Sequence, residues 1–152
     1  MITALQRTAS VFLYMLPWTD AIKYGNEFFA IFPISQFLIL PAIPIIIIQK
    51  SLPIGNFLVF LILFLGVARN EKVPYFVRYN AMQALLINLI LIIFDYLIIL
   101  LIQISGKSAI IEVLGTIMFI TTLTTVIFTT AQCLQGIEPN IPGISNSAKM
   151  QI

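Results

Sequence analysis

Polar residues are sparse along this chain, and their spacing divides it into long hydrocarbon runs separated by short polar punctuation. Between positions 28 and 48 only Ser35 and Gln36 interrupt apolar side chains, and comparable runs follow at 54–68, 81–104 and 110–131. About 20 apolar residues in helical form, rising about 1.5 Å each, cross about 30 Å of bilayer hydrocarbon. The pattern therefore predicts an all-α integral membrane protein with four transmembrane helices forming a bundle over 28–131. Pro33, Pro41 and Pro44 fall inside the first run, where each removes a backbone donor, so a kinked or partly unwound span is expected. The second run covers only about 22 Å as a helix, which calls for a thinned bilayer or an outward-reaching Arg69.

Two flanking segments depart from this pattern. In residues 1–27, positions 4–16 plot as a short amphipathic helix with Leu5, Ala9, Phe12 and Leu16 on one face and Gln6, Arg7, Ser10 and Tyr14 on the other. Such a helix is expected to lie in the membrane interface, ending at Pro17, with Tyr14, Trp18 and Tyr24 at headgroup level; packing on the bundle is the alternative. Residues 132–152 read as a polar tail, with Gly136, Pro139, Pro142 and Gly143 in turns and a short helix from Ser145.

Composition sharpens this reading. The chain is 60% hydrophobic and 9% charged, against about a quarter charged in soluble domains. Its net charge of +2 comes from scattered cations, which excludes a nucleic-acid surface. There is no histidine and Cys133 is alone, so the chain by itself offers neither a disulfide framework nor a His/Cys metal site, and no cofactor is expected. No phosphate loop, paired carboxylates or nucleophile beside a base is present, so an enzyme is not expected. The N-terminal apolar stretch lacks the cleavage site of a signal peptide, and Met1 reads as the native start. Isoleucine outnumbers valine 29 to 7, as pressure from an AT-rich genome such as an organelle's would produce.

Charge placement predicts orientation. Arg7, Lys23, Arg69, Lys72, Arg78 and Lys149 fall on the side of both termini and Lys50 and Lys107 opposite, so the positive-inside bias puts both termini in the cytoplasm or its organellar equivalent. On the third span Asn80, Asn88 and Asp95 lie within about 80° on a helical wheel at about 100° per residue. No cation is expected at the depth of Asp95, so a protonated carboxyl donating to a neighbour is the default there. Thr121, Thr125, Thr129 and Gln132 of the fourth span are expected on one face as its partners, either in interhelical packing or as a polar lining for a transported species. Arg69, Lys72 and Arg78 read as topology anchors or a docking surface.

The run GVARNEKVPYFVRYNAMQALLIN resembles the signature of the twenty-kilodalton Tic protein family, subunits of the protein translocon of the chloroplast inner envelope with cyanobacterial relatives. LYMLPWTDAIKYGNEFFAIFP and QGIEPNIPGISNSAKMQI are similar to the family's N-terminal and tail segments. The resemblance implies a four-helix protein with stromal termini in the plastid inner envelope, or the plasma membrane for a cyanobacterial member. It implies passage of unfolded precursor proteins in a hetero-complex with other Tic subunits, within membrane lipid. By position, Arg69, Asn70, Lys72, Arg78, Asn80 and Gln83 carry the family motif and are candidates for partner or substrate contact. A structural or assembly subunit, or a small-solute carrier, is the competing reading.

Overall fold

The computed structural model describes residues 1–152, and every regular element in it is helical. Helices α1 (Ala4–Leu13), α2 (Met15–Ala21) and α3 (Asn26–Ile31) precede a 3₁₀ run at Pro33–Ala42; α4 (Ile43–Ser51), α5 (Gly55–Leu63), α6 (Tyr75–Ser105), α7 (Ala109–Gln135) and α8 (Ile144–Gln151) follow. Three helical stretches are long and apolar enough to cross a membrane: Pro33–Ser51, Tyr75–Ser105 and Ala109–Gln135. Gly55–Ala68 is a shorter apolar helix whose last turn, Phe64–Ala68, is wound as π-helix. The prolines expected to distort the first of these stretches hold Pro33–Ala42 in 3₁₀ form. At about 2.0 Å per 3₁₀ residue and 1.5 Å per α residue, Pro33–Ser51 reaches about 33 Å.

The long helices end where local chemistry dictates. Pro74 caps α6 in an extended conformation, which places the helix start at Tyr75, six residues before the apolar run begins. Gly136, at φ 75°, closes α7; the Ile137 amide reaches back to the Gln132 carbonyl, and the Arg7 guanidinium donates to Leu134 O at 3.1 Å. At the start of α5 a Cβ on Gly55 would stand 2.0 Å from the Gln49 carbonyl oxygen, so only glycine lets α4 and α5 meet this closely.

The N-terminal segment corrects the expectation of an interfacial helix. Residues 4–24 run parallel to α6 and antiparallel to α7: Tyr14 meets Asn80, Asp20 meets Asn88 and Tyr24 meets Asp95, while Arg7 caps the end of α7 and Tyr24 lies against Gly115. The amphipathic faces are inverted relative to a water-soluble helix. Leu5 and Phe12 point outward at 78% and 63% exposure, whereas Ser10 and Tyr14 are fully buried against the bundle, Tyr14 with hydrogen-bond partners there; past the break Leu16 of the apolar face is buried as well. Lipid solvates apolar side chains, so the polar stripe is the one that gains from protein partners. The helix breaks at Tyr14 rather than Pro17 because the Pro17 ring excludes a bond to the Leu13 carbonyl four residues back. Trp18, Phe28, Phe29 and Phe119 form the aromatic centre of the core.

The tail is also more than a polar extension. Pro139 O accepts from the Tyr79 hydroxyl, and Asn140 to Pro142 line a groove with Ile120 to Phe128 of α7. Pro142, Gly143 and Ile144 line another with Leu86 to Ile93 of α6. From there α8 returns until Gln151 O accepts from Arg69 at 2.6 Å. The loop thus dips about 12 Å along α6 from Arg78, taking about 1.5 Å per residue.

Candidate functional site

The polar residues of α6 form a seam that stitches three parts of the chain together. Asn80, Gln83 and Asn88 are buried, at 0%, 0% and 2% exposure. The Tyr14 hydroxyl lies 2.7 Å from Gln83 Oε1 and 2.9 Å from Asn80 Oδ1, so its one proton serves this pair. Gln83 Nε2 donates to Ser145 Oγ at 2.6 Å and to the Tyr79 hydroxyl at 2.8 Å; Tyr79 in turn donates to Pro139 O. Asn80 Nδ2 donates to the Phe76 carbonyl of its own helix, and its Oδ1 also accepts from the Cys133 thiol of α7. Gln83 therefore couples the N-terminal segment to the re-entrant tail loop across α6.

Farther along α6 the seam becomes ionic. Asn88 donates to Asp20, and Asp95 accepts from both Lys23 and the Tyr24 hydroxyl. This corrects the expectation that no cation stands at the depth of Asp95. The N-terminal segment delivers Lys23 to that depth, where a carboxylate paired with a cation is tolerated far better than an isolated one. The Lys23 side chain is 49% exposed and Asp95 24%, so this pair stands at the edge of the seam and is weakened by whatever water reaches it.

The eight cations regroup accordingly. Arg7, Arg69, Lys72, Arg78 and Lys149 gather at the end holding both termini, Lys50 and Lys107 lie at turns toward the other end, and Lys23 stands beside Asp95 between them. A division of six to two becomes five, two and one. Within the 69–78 stretch, Arg69 binds Gln151 O, Asn70 accepts from the Lys72 amide and donates to Gly66 O, and Arg78 Nε reaches Ala68 O at 3.4 Å. The motif's exposed members thus brace the turn and the tail, and Lys72 alone of its cations has no hydrogen bond or ion pair through its side chain.

The expected threonine face on α7 is split. Thr129 is buried and bonds to Val126 O, whereas Thr121 is exposed and Thr125 half-buried, each donating to the carbonyl four residues back at 2.8 Å. Neither they nor the half-buried Gln132 meets Asp95. Thr124, equally exposed and donating to Ile120 O at 2.9 Å, joins Thr121 and Thr125 around the groove under the tail loop. Sequence reasoning missed Tyr14, Asp20, Lys23, Tyr24, Tyr79, Cys133 and Ser145 as partners of the seam. A signal existed for two of them: Asp95 is isolated in a long apolar helix, and Asp20 and Lys23 are charges in a segment whose other face is apolar.

Comparison with known proteins finds relatives that match almost the whole chain. A family model described as "Chloroplast import apparatus Tic20-like" matches residues 4–148, from the first residue of α1 into α8. A Synechocystis protein named "Tic20 family protein" is 33% identical over 147 residues, covering 96% of this chain and 92% of its own. The Arabidopsis thaliana "Protein TIC 20-v, chloroplastic" is 31% identical over 152 residues, 99% of this chain and 73% of its own. The Arabidopsis "Protein TIC 20-II, chloroplastic" is 38% identical over 88 residues, 58% of this chain and 42% of its own. With its seam-forming N-terminal segment, its long helices and its tail loop all inside the matched region, this chain belongs to the Tic20-like family of the chloroplast import apparatus.

Proposed function

We propose that this chain is a non-enzymatic subunit of the protein-import translocon of the chloroplast inner envelope, with both termini in the stroma, contributing to the passage of unfolded precursor proteins. The observation that carries the reading is family membership over residues 4–148. Clustering of five cations at the end that holds both termini supports the stromal orientation, since cations are retained on the inner side. The isoleucine excess favours a plastid genome over a cyanobacterial plasma membrane. Other subunits of the translocon are the expected neighbours.

A purely structural role has one specific observation in its favour: Asn80, Gln83 and Asn88 are spent on contacts within the chain, so they are not a free polar lining. Repressing the gene and measuring uptake of a radiolabelled precursor by isolated plastids separates the readings. Uptake that falls in proportion to this chain, while the other translocon subunits persist in the membrane, supports a direct role. Unchanged uptake overturns it. Protease protection of an N-terminal tag tests orientation: a tag digested from outside the inner envelope contradicts stromal termini.

A further inference from the structure

Resting on the translocon reading, we infer that the groove between α7 and the tail loop is the surface of this chain that contacts passing polypeptide, and that it takes an extended segment through backbone hydrogen bonds. The groove has a volume of about 510 Å³ and is lined by Thr121, Thr124, Thr125 and Phe128 on one wall and by Asn140 and Pro142 on the other. No ionisable side chain lines it. Both walls carry hydrogen-bonding groups with capacity to spare. Each threonine has already given its proton to its own helix, which leaves its outward lone pairs to accept. Across the groove, the backbone N–H and C=O of Asn140, and its side-chain amide, make no hydrogen bond within the chain. The same is true of the backbone of Glu138, one residue before Pro139, and both residues are exposed.

Depth turns these free groups into an argument. The loop lies against Thr125, about 15 Å along α7 from Gln135 at about 1.5 Å per residue. Irregular backbone at membrane depth persists only where protein or a water-filled cavity satisfies it, because each unpaired group in hydrocarbon costs several kcal/mol. A lipid chain offers no donor or acceptor, so it does not fit as the occupant; water satisfies these groups while the groove is empty and gives way to a chain that offers the same bonds. An extended polypeptide does: it presents alternating N–H and C=O groups, which match acceptors on α7 and mixed groups on Asn140. A neutral groove that reads backbone rather than side chains also suits substrates of any sequence. By contrast, the amides of the α6 seam are buried and engaged with partners inside the chain, out of reach of a passing polypeptide.

The test places a photo-crosslinking residue at Thr121, Thr124 or Asn140, with outward-facing Leu65 as the lipid control, in the full chain assembled with its native partners. The probe is a radiolabelled precursor arrested in transit by a C-terminal domain held folded with a tight ligand. Adducts to the precursor at all three groove positions and not at Leu65, lost when the arrest is released, are expected. Adducts at the groove only to lipid, to a second copy of this chain or to a resident subunit overturn the inference. If the precursor still arrests and its uptake still depends on this chain, the translocon reading survives that failure; if depletion leaves uptake unchanged, both fall. As a second measure, Thr121→Val with Thr124→Val should slow uptake several-fold at normal protein level, while Thr121→Ser with Thr124→Ser retains it. Equal uptake in both pairs counts against the groove.

Discussion

Helices α6 and α7 are similar in length and apolarity, yet they use polar residues in opposite ways. On α6 the amides at 80, 83 and 88 point inward, and each is met by a side chain from a distant part of the chain. On α7 the hydroxyls at 121 and 124 point outward and are satisfied by their own helix. A helix can take up an amide's NH₂, as Phe76 O does for Asn80, but it has no spare donor for the amide carbonyl, whereas a threonine hydroxyl folds back onto the carbonyl four residues earlier. Amides in a membrane helix therefore act as assembly points. Threonines leave a face that is tolerated by lipid and still able to accept hydrogen bonds.

The contrast is broken most sharply at Gln83. Gln83→Leu removes one of the two acceptors facing Tyr14 and the donor to Ser145, Tyr79 and Pro139 O, and should cost about 2–3 kcal/mol for the several buried hydrogen bonds lost together. Unfolding in mixed micelles would read this loss, and limited proteolysis should show the tail loop released. A resistant tail in that variant would mean that the loop is held by α8 packing alone. Asn88→Leu is expected to cost somewhat less, about 1–3 kcal/mol, because Asp20 loses its amide partner but keeps some access to water.

The ionic end of the seam should respond more weakly. Lys23→Met destabilises while Asp95 remains, and adding Asp95→Asn should restore part of the loss. The coupling in the double-mutant cycle is expected at about 0.5–1 kcal/mol, given a half-exposed lysine. Additive effects would show that the pair is not formed in the membrane. Smallest of all, Thr124→Val should leave the unfolding free energy within about 0.5 kcal/mol of the parent, since its hydroxyl serves only its own helix. A large destabilisation there would place the α7 face inside a protein interface and remove its distinction from α6.

Much of the helical plan was legible in the chain. The apolar runs located α6 and α7, though α6 starts six residues before its run; the three prolines foretold the irregular winding before α4, and Gly136 marked the turn after α7. Asn80 and Asn88 were visible as polar positions sharing a face. Their partners were not, because Tyr14 and Asp20 lie more than 60 residues away in sequence, and Ser145 is as far from Gln83. The amphipathic N-terminal helix left interface and bundle both open for a definite reason. Its moment has the same size whether the apolar face meets a membrane surface or lipid alongside the bundle, and periodicity carries no sign that tells the two apart.

By itself, then, the sequence determined that the chain is helical, membrane-embedded and a relative of the Tic20-like proteins, because length, hydropathy and local caps are properties of neighbouring residues. Tertiary structure decided which polar groups are consumed and which remain free. Lys23 reaches Asp95 only because the N-terminal segment turns its polar face inward, and Asn140 faces the threonines only because Gln83 and Tyr79 hold Pro139 in place. Hydrogen bonding inside a bilayer is a matter of what stands opposite. That depends on how distant segments meet, which no local pattern specifies.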